Sequence, residues 1–369
     1  MSEREGRGVA RTEERAERGT SEHATREGRD KSASSAERGT QLLDRLTRFR
    51  ELGLVVAIVV LFGATGATNP SFLSAQSLRD ILLNASIITL LAVGQTLVIV
   101  TRNVDLSISS ITGLTAFASG VLLADHPGIP VVAVVAICLA IGAVCGALNG
   151  VLVAYARVPA LVATLGTLYV FRGVDYAFAG GRQVNAADMP SGFLSLGSKT
   201  VLGVPLLAIA SALVLVAAGW VLGSLRSGRE LYAIGSHPEA AMLAGIQVNR
   251  RVLIAFVANG VIAGLAGVMW AARFGTVDAT VATGRELEVV AAVVVGGVAI
   301  FGGSGTVWGA ALGALLLTSI GSALAVLRVD SLAQYAINGL LLLTAIVLDR
   351  VLALRVNAAL RGRSRRLAK

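Results

Sequence analysis

Residues 224–251 read SLRSGRELYAIGSHPEAAMLAGIQVNRR and form the largest polar interruption of the chain after residue 51. Long apolar runs flank this segment on both sides. Within it, residues 238–244 have the composition of a short helix, and Gly245 is expected to end that helix. A membrane protein that only binds or conducts a solute needs no such helix. A membrane protein that is driven by a cytosolic partner needs a surface through which that partner can act on it. Residues 224–251 are therefore the segment that distinguishes between these two classes of membrane protein.

The composition indicates an integral membrane protein. The 369 residues are 54% hydrophobic and 15% charged, with a mean hydropathy of +0.73, which is too apolar for a soluble domain of this length. Charge is concentrated at the ends: residues 1–50 hold twelve Lys/Arg and ten Asp/Glu, and residues 350–369 hold seven Lys/Arg and no acid. The basic end follows an apolar run, which favours a cytoplasmic anchor over a nucleic-acid interface.

Three regions are predicted from this distribution. Residues 1–50 contain almost no aliphatic side chains before Leu42, so we expect a disordered cytoplasmic tail. Residues 51–352 are expected to form the transmembrane domain, with residues 224–251 as a cytoplasmic loop, and residues 353–369 to form a basic cytoplasmic tail. The two cysteines, Cys138 and Cys145, lie in one apolar run and are interpreted as core residues.

The apolar runs predict an all-α membrane protein with about ten transmembrane helices, since roughly 20 helical residues cross the hydrocarbon core. The predicted spans are residues 52–68, 81–101, 106–124, 131–154, 158–178, 201–222, 252–272, 287–301, 306–327 and 332–352, of which the eighth is short. An even number places both termini on one side. The arginines before residue 51, in the 224–251 segment and at the C-terminal end then all face the cytoplasm, as positively charged loops do.

The spans lack the usual signatures of enzymes. No histidine is paired with a cysteine or a carboxylate at metal-ligand spacing, so we expect neither a metal nor a cofactor. The sequence contains no phosphate-binding loop of the form GxxxxGK[ST], so any ATP must be hydrolysed by another chain. Acids are almost absent from the predicted spans, which disfavours an ion-coupled carrier.

A polar stretch, QTLVIVTRNVDLSISS, joins the second and third spans at residues 95–110. One interpretation is a tight cytoplasmic turn in which Asp105 or Ser107 caps the next helix. The other is a discontinuous or re-entrant segment, whose polar backbone must then line protein or a wet path. In either case, Asp105 is the least replaceable acid of the membrane domain.

A second interruption, GGVAIFGGSGT at residues 296–306, again separates two apolar runs. Gly305, Gly309 and Gly313 follow at intervals of four, which favours close helix packing on one face and leaves a gating hinge as the alternative. Together with residues 95–116, this pattern predicts a weak internal repeat of four or five spans per half.

Four motifs resemble the permeases of sugar-import ABC transporters, a group that includes ribose, xylose, rhamnose and autoinducer-2 permeases. They are GQTLVIVTRNVDLSISSITGLTA, NGVLVAYARVPALVATLGTLYVFRGV, ELYAIGSHPEAAMLAGI and AAVVVGGVAIFGGSGTVWGAALGA, which occur in the same order across residues 50–350. The sequence TRNVDLS stands where many relatives have a glycine pair before the aspartate. This form is most similar to the rhamnose and autoinducer-2 branches.

The resemblance implies a subunit that is not itself an enzyme. It would pair with a second copy or a paralogue, bind two ABC ATPase subunits, and receive solute from an extracytoplasmic sugar-binding protein. Permeases of many ABC importers share a Glu-Ala-Ala pattern followed three residues later by Gly. In this chain, the matching ATPase-coupling residues are Pro238, Glu239, Ala240, Ala241 and Gly245.

The polar residues near the interrupted helix are the candidates for a translocation pathway, because hydroxyl and amide groups suit a neutral solute. They are Gln95, Thr96, Asn103, Asp105, Ser107, Ser109, Thr164 and Thr167. A permease of the same architecture for nucleosides or branched-chain amino acids is the first alternative. A secondary carrier that needs no ATPase is the second, and an exporter or membrane scaffold is the third.

Overall fold

The computed structural model describes residues 51–330 and, beyond them, residues 333–334, 336–337, 339–340, 343–344 and 347. The described part is mostly helical. Its α-helices are α1 (Glu51–Thr68), α2 (Ala75–Ile99), α3 (Ile108–Asp125), α4 (Val131–Ala154), α5 (Ala160–Ala179), α6 (Ser191–Ser198), α7 (Leu206–Ser224), α8 (Arg226–Ser236), α9 (Pro238–Leu243), α10 (Val248–Phe274), α11 (Arg285–Val295) and α12 (Val307–Val326). Short 3-10 helices occur at Pro70–Leu73 and Ala186–Asp188.

The integral membrane fold is confirmed. Each of the first nine predicted spans coincides with a helix, and seven of the described helices, α1 to α4, α7, α10 and α12, are long and apolar enough to cross a membrane. The tails at residues 1–50 and 353–369, and most of the predicted span 332–352, lie outside the described residues. The total of ten spans, the side of the termini and the internal repeat stay predictions.

The helix at the eighth predicted span is shorter than expected. The sequence predicts residues 287–301, whereas α11 covers only Arg285–Val295 and is about 17 Å long at 1.5 Å per residue. That is well short of the roughly 30 Å hydrocarbon core. The helix ends because the chain turns at Gly296 and Gly297, the latter with a φ of +100°.

The glycines on α12 serve helix packing, as the first of the two interpretations predicts. A Cβ atom on Gly309 would collide with the carbonyl oxygen of Gly296, and one on Gly313 would collide with that of Ala292. The absence of side chains therefore lets α11 and α12 approach backbone to backbone.

Helix α10 lies at the centre of the bundle and packs most extensively on α4, and also on α2 and α3. Cys138 and Cys145 on α4 are buried free cysteines that form no disulfide, as expected for core residues. The connection after α6 forms a two-stranded antiparallel hairpin, β1 (Thr200–Val201) and β2 (Val204–Pro205). An isolated bridge between Val184 and Val277 joins the segment after α5 to the segment after α10.

Candidate functional site

The short helix predicted in the polar segment is present as α9. Pro238 lies in its first turn and Glu239 is the acid of that turn. Proline is well tolerated at this position because its missing N–H would have no partner within the helix, and a carboxylate there interacts favourably with the helix dipole. Both residues occupy the positions that the sequence predicts.

Helix α9 ends in a Schellman motif at Gly245. The N–H of Ile246 donates to the carbonyl of Ala241 at 3.0 Å, and the N–H of Gly245 donates to the carbonyl of Met242 at 2.9 Å. These are the two hydrogen bonds that define the motif. Gly245 has a φ of +80°, a backbone conformation that costs other residues roughly 1–2 kcal/mol. The predicted end of the helix is confirmed, and its cause is this conformation.

Most of the α9 surface is exposed. Leu243 is 91% exposed and Met242 is 56% exposed, an unusual position for two apolar side chains on a polar loop. Glu239 and Ala240 are exposed as well. Ala241, by contrast, is buried in a cluster with residues of α8 and α10. Of the two predicted alanines, only Ala240 can therefore contact a partner, and Ala241 holds the helix on its own chain.

Three segments meet directly before α9, and we call this contact the α8 junction. It consists of residues 100–103, 232–236 and 302–305. The Arg102 guanidinium donates to the carbonyl of Ser236 at 2.7 Å and also to the carbonyl of Gly235. Cationic donors near a helix C-terminus satisfy carbonyls that have no partner within the helix. Arg102 thus fixes the C-terminal end of α8.

The other side of the α8 junction is made by the glycine-rich segment before α12. The N–H of Gly303 donates to the carbonyl of Val100 at 3.0 Å. The Tyr232 hydroxyl donates to the carbonyl of Gly305 at 2.8 Å, and burial raises the pKa of this hydroxyl to about 12. The two polar interruptions found in the sequence are therefore joined to each other and to α8.

Helix α8 is also tied to the beginning of α10. Glu230 forms ion pairs with Arg226 at 2.7 Å and with Arg251. Burial tends to raise the pKa of this carboxyl, but the hydrogen bonds from the two arginines outweigh that effect and lower it. The position of α9 is consequently set from both ends, by the α8 junction before it and by α10 after it.

Asp105 lies fully buried at the centre of a polar network. Its Oδ1 accepts from the N–H of Ser107 at 2.9 Å and from the Ser107 hydroxyl at 2.7 Å. Asn259, near the middle of α10, donates to its Oδ2 at 2.9 Å. Asn149 of α4 donates to the Ser107 hydroxyl at 2.7 Å and lies 3.4 Å from Asp105 Oδ1.

The main chain of Asp105 is satisfied by a side chain of α2. With its amide oriented to match these partners, Gln95 donates to the Asp105 carbonyl and accepts from the Asp105 N–H, each at 3.1 Å. Residues 100–107 are thus an irregular segment between α2 and α3, in which Arg102 is exposed and Asp105 is buried. Asp105 accepts the N–H of Ser107 directly before α3, which is the capping contact of the tight-turn interpretation. Its pairing with Gln95 and Asn259 inside the bundle is what the discontinuous interpretation requires.

The network brings most of the predicted pathway residues together. Thr167 donates to the Asn149 carbonyl oxygen at 2.6 Å, and the Thr164 hydroxyl accepts from the N–H of Leu106 at 3.1 Å. The Thr96 hydroxyl instead donates to the carbonyl of Ala92 within its own helix. Ser109 is buried at the start of α3, whereas Asn103 is half-buried and donates to the Thr101 hydroxyl and carbonyl.

Sequence reasoning missed a buried ion pair in α5. Arg172 and Asp175 lie 3.5 Å apart, with the carboxylate fully buried, so the expectation that acids are nearly absent from the spans understates their number. Arg172 also donates to the carbonyls of Ala279 and Val281, each at 2.9 Å. The signal was available, since two charges three residues apart on an apolar helix share one face.

The amides Asn149 and Asn259 were also missed. Each stands alone among apolar residues, in the stretches GALNGVL and FVANGVI. A single amide inside an apolar helix indicates a buried hydrogen-bond partner, because an unpaired polar group in the hydrocarbon region is costly. The partner could not be identified from the sequence, since Asp105 is distant in the chain from both.

Comparison with known proteins identifies the family. Residues 77–346 match the family model described as the branched-chain amino acid transport system / permease component. The autoinducer 2 import system permease protein LsrC of Enterobacter sp. (strain 638) is 41% identical over 304 residues, which cover 82% of this chain and 88% of that protein. Its counterpart in Escherichia coli (strain K12 / DH10B) is 37% identical over 300 residues, covering 81% and 86% of the two chains. No solved structure matches the chain.

The family match spans the helices that carry the Asp105 network, the α8 junction and α9, and the relatives are transport components rather than enzymes. These findings explain the apolar composition and the multi-pass fold together. The chain therefore belongs to the membrane permeases of ABC importers and is a multi-pass protein of the cell membrane.

Proposed function

We propose that this chain is the permease of an ATP-driven importer for a sugar-like solute of the autoinducer-2 or rhamnose type. The relatives named above are autoinducer 2 import permeases, which supports this solute class. The description of the family favours branched-chain amino acids as a second candidate. The working importer would contain two such permeases, as copies or paralogues, two ATPase subunits and an extracytoplasmic binding protein.

The observation that carries the proposal is the geometry of α9. It is a single rigid turn and a half of helix, ended by a Schellman motif and exposing Met242, Leu243 and Glu239. Small exposed helices with apolar side chains are suited to insertion into a groove of a partner protein. We propose that the groove belongs to the ATPase subunit and that Pro238, Glu239, Ala240, Ala241 and Gly245 form or support the coupling element.

The α8 junction supplies a physical route for force. A displacement of α9 acts on the C-terminal end of α8, which Arg102 joins to the segment between α2 and α3. Tyr232 joins α8 to the glycine-rich segment before α12. Closing of the ATPase subunits on ATP would thereby shift several spans at once, which is the requirement of alternating access.

The pathway role of the residues around Asp105 stays a prediction. In the present conformation, Gln95, Thr164 and Asp105 are fully buried and hydrogen-bonded within one chain. A solute path at this depth therefore requires that the network open during the transport cycle. The discontinuous backbone of residues 100–107 is the segment best able to change its hydrogen bonds, because it is not held by a helical ladder.

The coupling role of α9 is tested by Glu239→Arg and Gly245→Val in cells that contain the complete importer. We expect both variants to reach the membrane in normal amounts, to retain less ATPase on purification and to lose most uptake. The valine variant acts by preventing the left-handed conformation that closes the Schellman motif.

Gly245→Asn is the matched control, since asparagine tolerates this backbone conformation and no neighbouring atom lies within 4 Å of an added Cβ. It should retain most uptake. Normal ATPase co-purification together with normal uptake in Glu239→Arg and Gly245→Val would refute the assignment of α9.

A further inference from the structure

Helix α1 is the least buried of the seven helices that are long and apolar enough to cross a membrane. Of its 18 residues 17% are buried, compared with 89% of the apolar window of α2. Its buried and half-buried residues share one narrow face and are Glu51, Leu54, Ile58, Leu61, Phe62, Thr65 and Gly66. Lipid tails are as apolar as most of these side chains, so this packing alone gives little preference for one position of α1.

The N-terminal end of α1 carries a directional contact to α12. The Thr306 hydroxyl donates to Glu51 Oε1 at 2.8 Å, and both residues are half-buried. The same hydroxyl oxygen accepts the N–H of Gly309 at 2.9 Å, which makes Thr306 the N-cap of α12. Thr306 therefore uses its donor on α1 and its acceptor on α12. We call the contact between Glu51 and Thr306 the α1 latch.

The other end of α1 is attached by apolar packing. The ring centres of Phe62 and Phe72 lie 5.2 Å apart in an edge-on arrangement, and Phe72 is fully buried. Phe62 also packs against the small apolar cluster that Phe72 forms with Ile81 and Ala323. The two ends of α1 are thus held by different forces. Loss of the α1 latch would release the N-terminal end while the aromatic contact still anchors the opposite end.

The α1 latch adjoins the α8 junction. Gly305, directly before Thr306, accepts the Tyr232 hydroxyl at 2.8 Å, and the N–H of Gly303 donates to the carbonyl of Val100 at 3.0 Å. Residues 302–306 are therefore held by α8, by the segment between α2 and α3, and by α1. A shift of α8 must displace these residues, which requires either that α1 follows or that the latch opens.

The packing around residues 302–305 leaves no slack to absorb such a shift. A Cβ atom on Gly302 would collide with Arg102, and one on Gly303 would collide with Ser236. The two glycines thus bring the backbone into direct contact with the α2–α3 segment on one side and with α8 on the other. Close-packed contacts of this kind transmit a displacement to their neighbours.

We propose that the α1 latch restrains the α8 junction in the resting importer and opens when the ATPase subunits close. Glu51 and Thr306 are then positioning residues, which act through the location of residues 302–306. The inference rests on the proposed ATP-driven import and adds a regulatory contact to it. Since Glu51 directly follows the N-terminal tail of residues 1–50, a force on that tail would reach the junction through one hydrogen bond.

The test uses the complete importer in proteoliposomes and measures ATP hydrolysis without solute, together with ATP-dependent uptake of L-rhamnose, autoinducer-2 and L-leucine. Glu51→Ala removes the acceptor of the latch and leaves the cap of α12 in place. We expect hydrolysis without solute to rise about threefold or more, as the loss of a hydrogen bond to a charged group predicts. The amount of solute transported per ATP should fall, because the junction then moves without restraint.

Glu51→Gln is the matched variant, since its amide oxygen can still accept from the Thr306 hydroxyl. It should hydrolyse ATP without solute at nearly the wild-type rate. Thr68→Val is the control at the other end of α1, where the Thr68 hydroxyl donates to carbonyls of its own helix. It should couple hydrolysis to uptake normally. If Glu51→Gln hydrolyses ATP as fast as Glu51→Ala, the charge and not the hydrogen bond is responsible, and the latch is rejected.

A double variant tests whether the two residues act through each other. Thr306→Val removes both the latch and the cap, so Glu51→Ala should cause no further rise in hydrolysis when it is added to Thr306→Val. An equal rise in both backgrounds would show that Glu51 acts by a route other than Thr306.

Cross-linking tests the opposite change. Glu51→Cys and Thr306→Cys in one chain can be joined by a short bifunctional thiol reagent with a reducible linker, because both native cysteines are buried. We expect the joined protein to lose uptake and to regain it after reduction, whereas each single variant should be insensitive to the reagent. Normal uptake by fully cross-linked protein would overturn the proposal.

Failure of the latch is distinguishable from failure of the proposed function. If the wild-type importer takes up none of the three solutes with ATP, the import function fails and the inference fails with it. If it transports a solute and Glu51→Ala hydrolyses ATP as the wild type does, the import function stands and the latch is overturned.

Discussion

Asp105 shows at the scale of a single residue how a charged side chain is accommodated in the membrane domain. Its carboxylate accepts hydrogen bonds from Ser107 and Asn259, and its main chain is paired with Gln95. A buried carboxylate is tolerated when each oxygen has a donor, and the donors then depend on the carboxylate in turn. The network is therefore expected to be sensitive to the loss of this one side chain.

We expect Asp105→Ala to destabilise the protein by about 2 kcal/mol or more, because each buried donor left without an acceptor costs about 1–3 kcal/mol. This change is measured as a lower thermal unfolding midpoint of the purified protein, determined from size-exclusion profiles after heating. Thr96→Val is the control, since the Thr96 hydroxyl donates to the carbonyl of Ala92 within its own helix. It should unfold close to the wild-type temperature. An Asp105→Ala protein as stable as Thr96→Val would show that the network contributes little.

At the scale of elements, helices α11 and α12 depend on the absence of side chains where they touch. We expect Gly309→Ala to lower the unfolding midpoint or the yield strongly, because the added Cβ would collide with the carbonyl oxygen of Gly296. Gly321→Ala on the same helix is the matched control, as nothing lies within 4 Å of its added Cβ. There the gain in helix propensity, up to about 1 kcal/mol, should leave stability equal or higher.

Equal behaviour of these two variants would mean that α11 and α12 are not closely packed in the native protein. Yield and unfolding midpoint should be measured in the same detergent and lipid, so that the comparison reports only on the position of the glycine.

The described elements also show what the sequence can and cannot predict. Apolar length located nine helices, and the pattern of Pro238 and Gly245 predicted both ends of α9, because these signals are local. The Asp105 network was not predictable, since its partner Asn259 is 154 residues away. A cavity of about 560 Å³ beside Trp270 is lined by residues of α10, α11 and α12, by the segment 278–284, and by Gln334 and Gly339. No single stretch of sequence carries that arrangement.

The length of α11 was overestimated from the sequence for a related reason. Residues 296–301 are apolar enough to extend a span, but the backbone conformation of Gly297 ends the helix. Hydropathy registers the side chains of such a segment and is insensitive to the φ angles of its glycines. The same limitation left Arg172 unnoticed, because two charges lower the hydropathy of α5 without indicating which carbonyls the guanidinium contacts.

At the scale of the whole molecule, the sidedness of the membrane domain is open to a direct test. Leu243 on α9 and Leu202 in the hairpin are 91% and 99% exposed, and both native cysteines are buried. We expect a membrane-impermeant maleimide to label Leu202→Cys in intact cells and to label Leu243→Cys only after the cells are opened. The wild-type protein is the control for background labelling. Labelling of both variants in intact cells would contradict the predicted topology.

The contact between Asp105 and Asn259 also bears on how the protein is made. A ribosome adds about 5–20 residues per second, so the 154 residues between these two partners take roughly 8–30 s to synthesise. During that interval, α2 and α3 have left the ribosome, but one oxygen of the carboxylate between them still lacks its amide donor. We expect this segment of the nascent chain to remain at the insertion machinery until α10 is inserted. The chain should be most susceptible to quality-control proteases just before α10 is inserted.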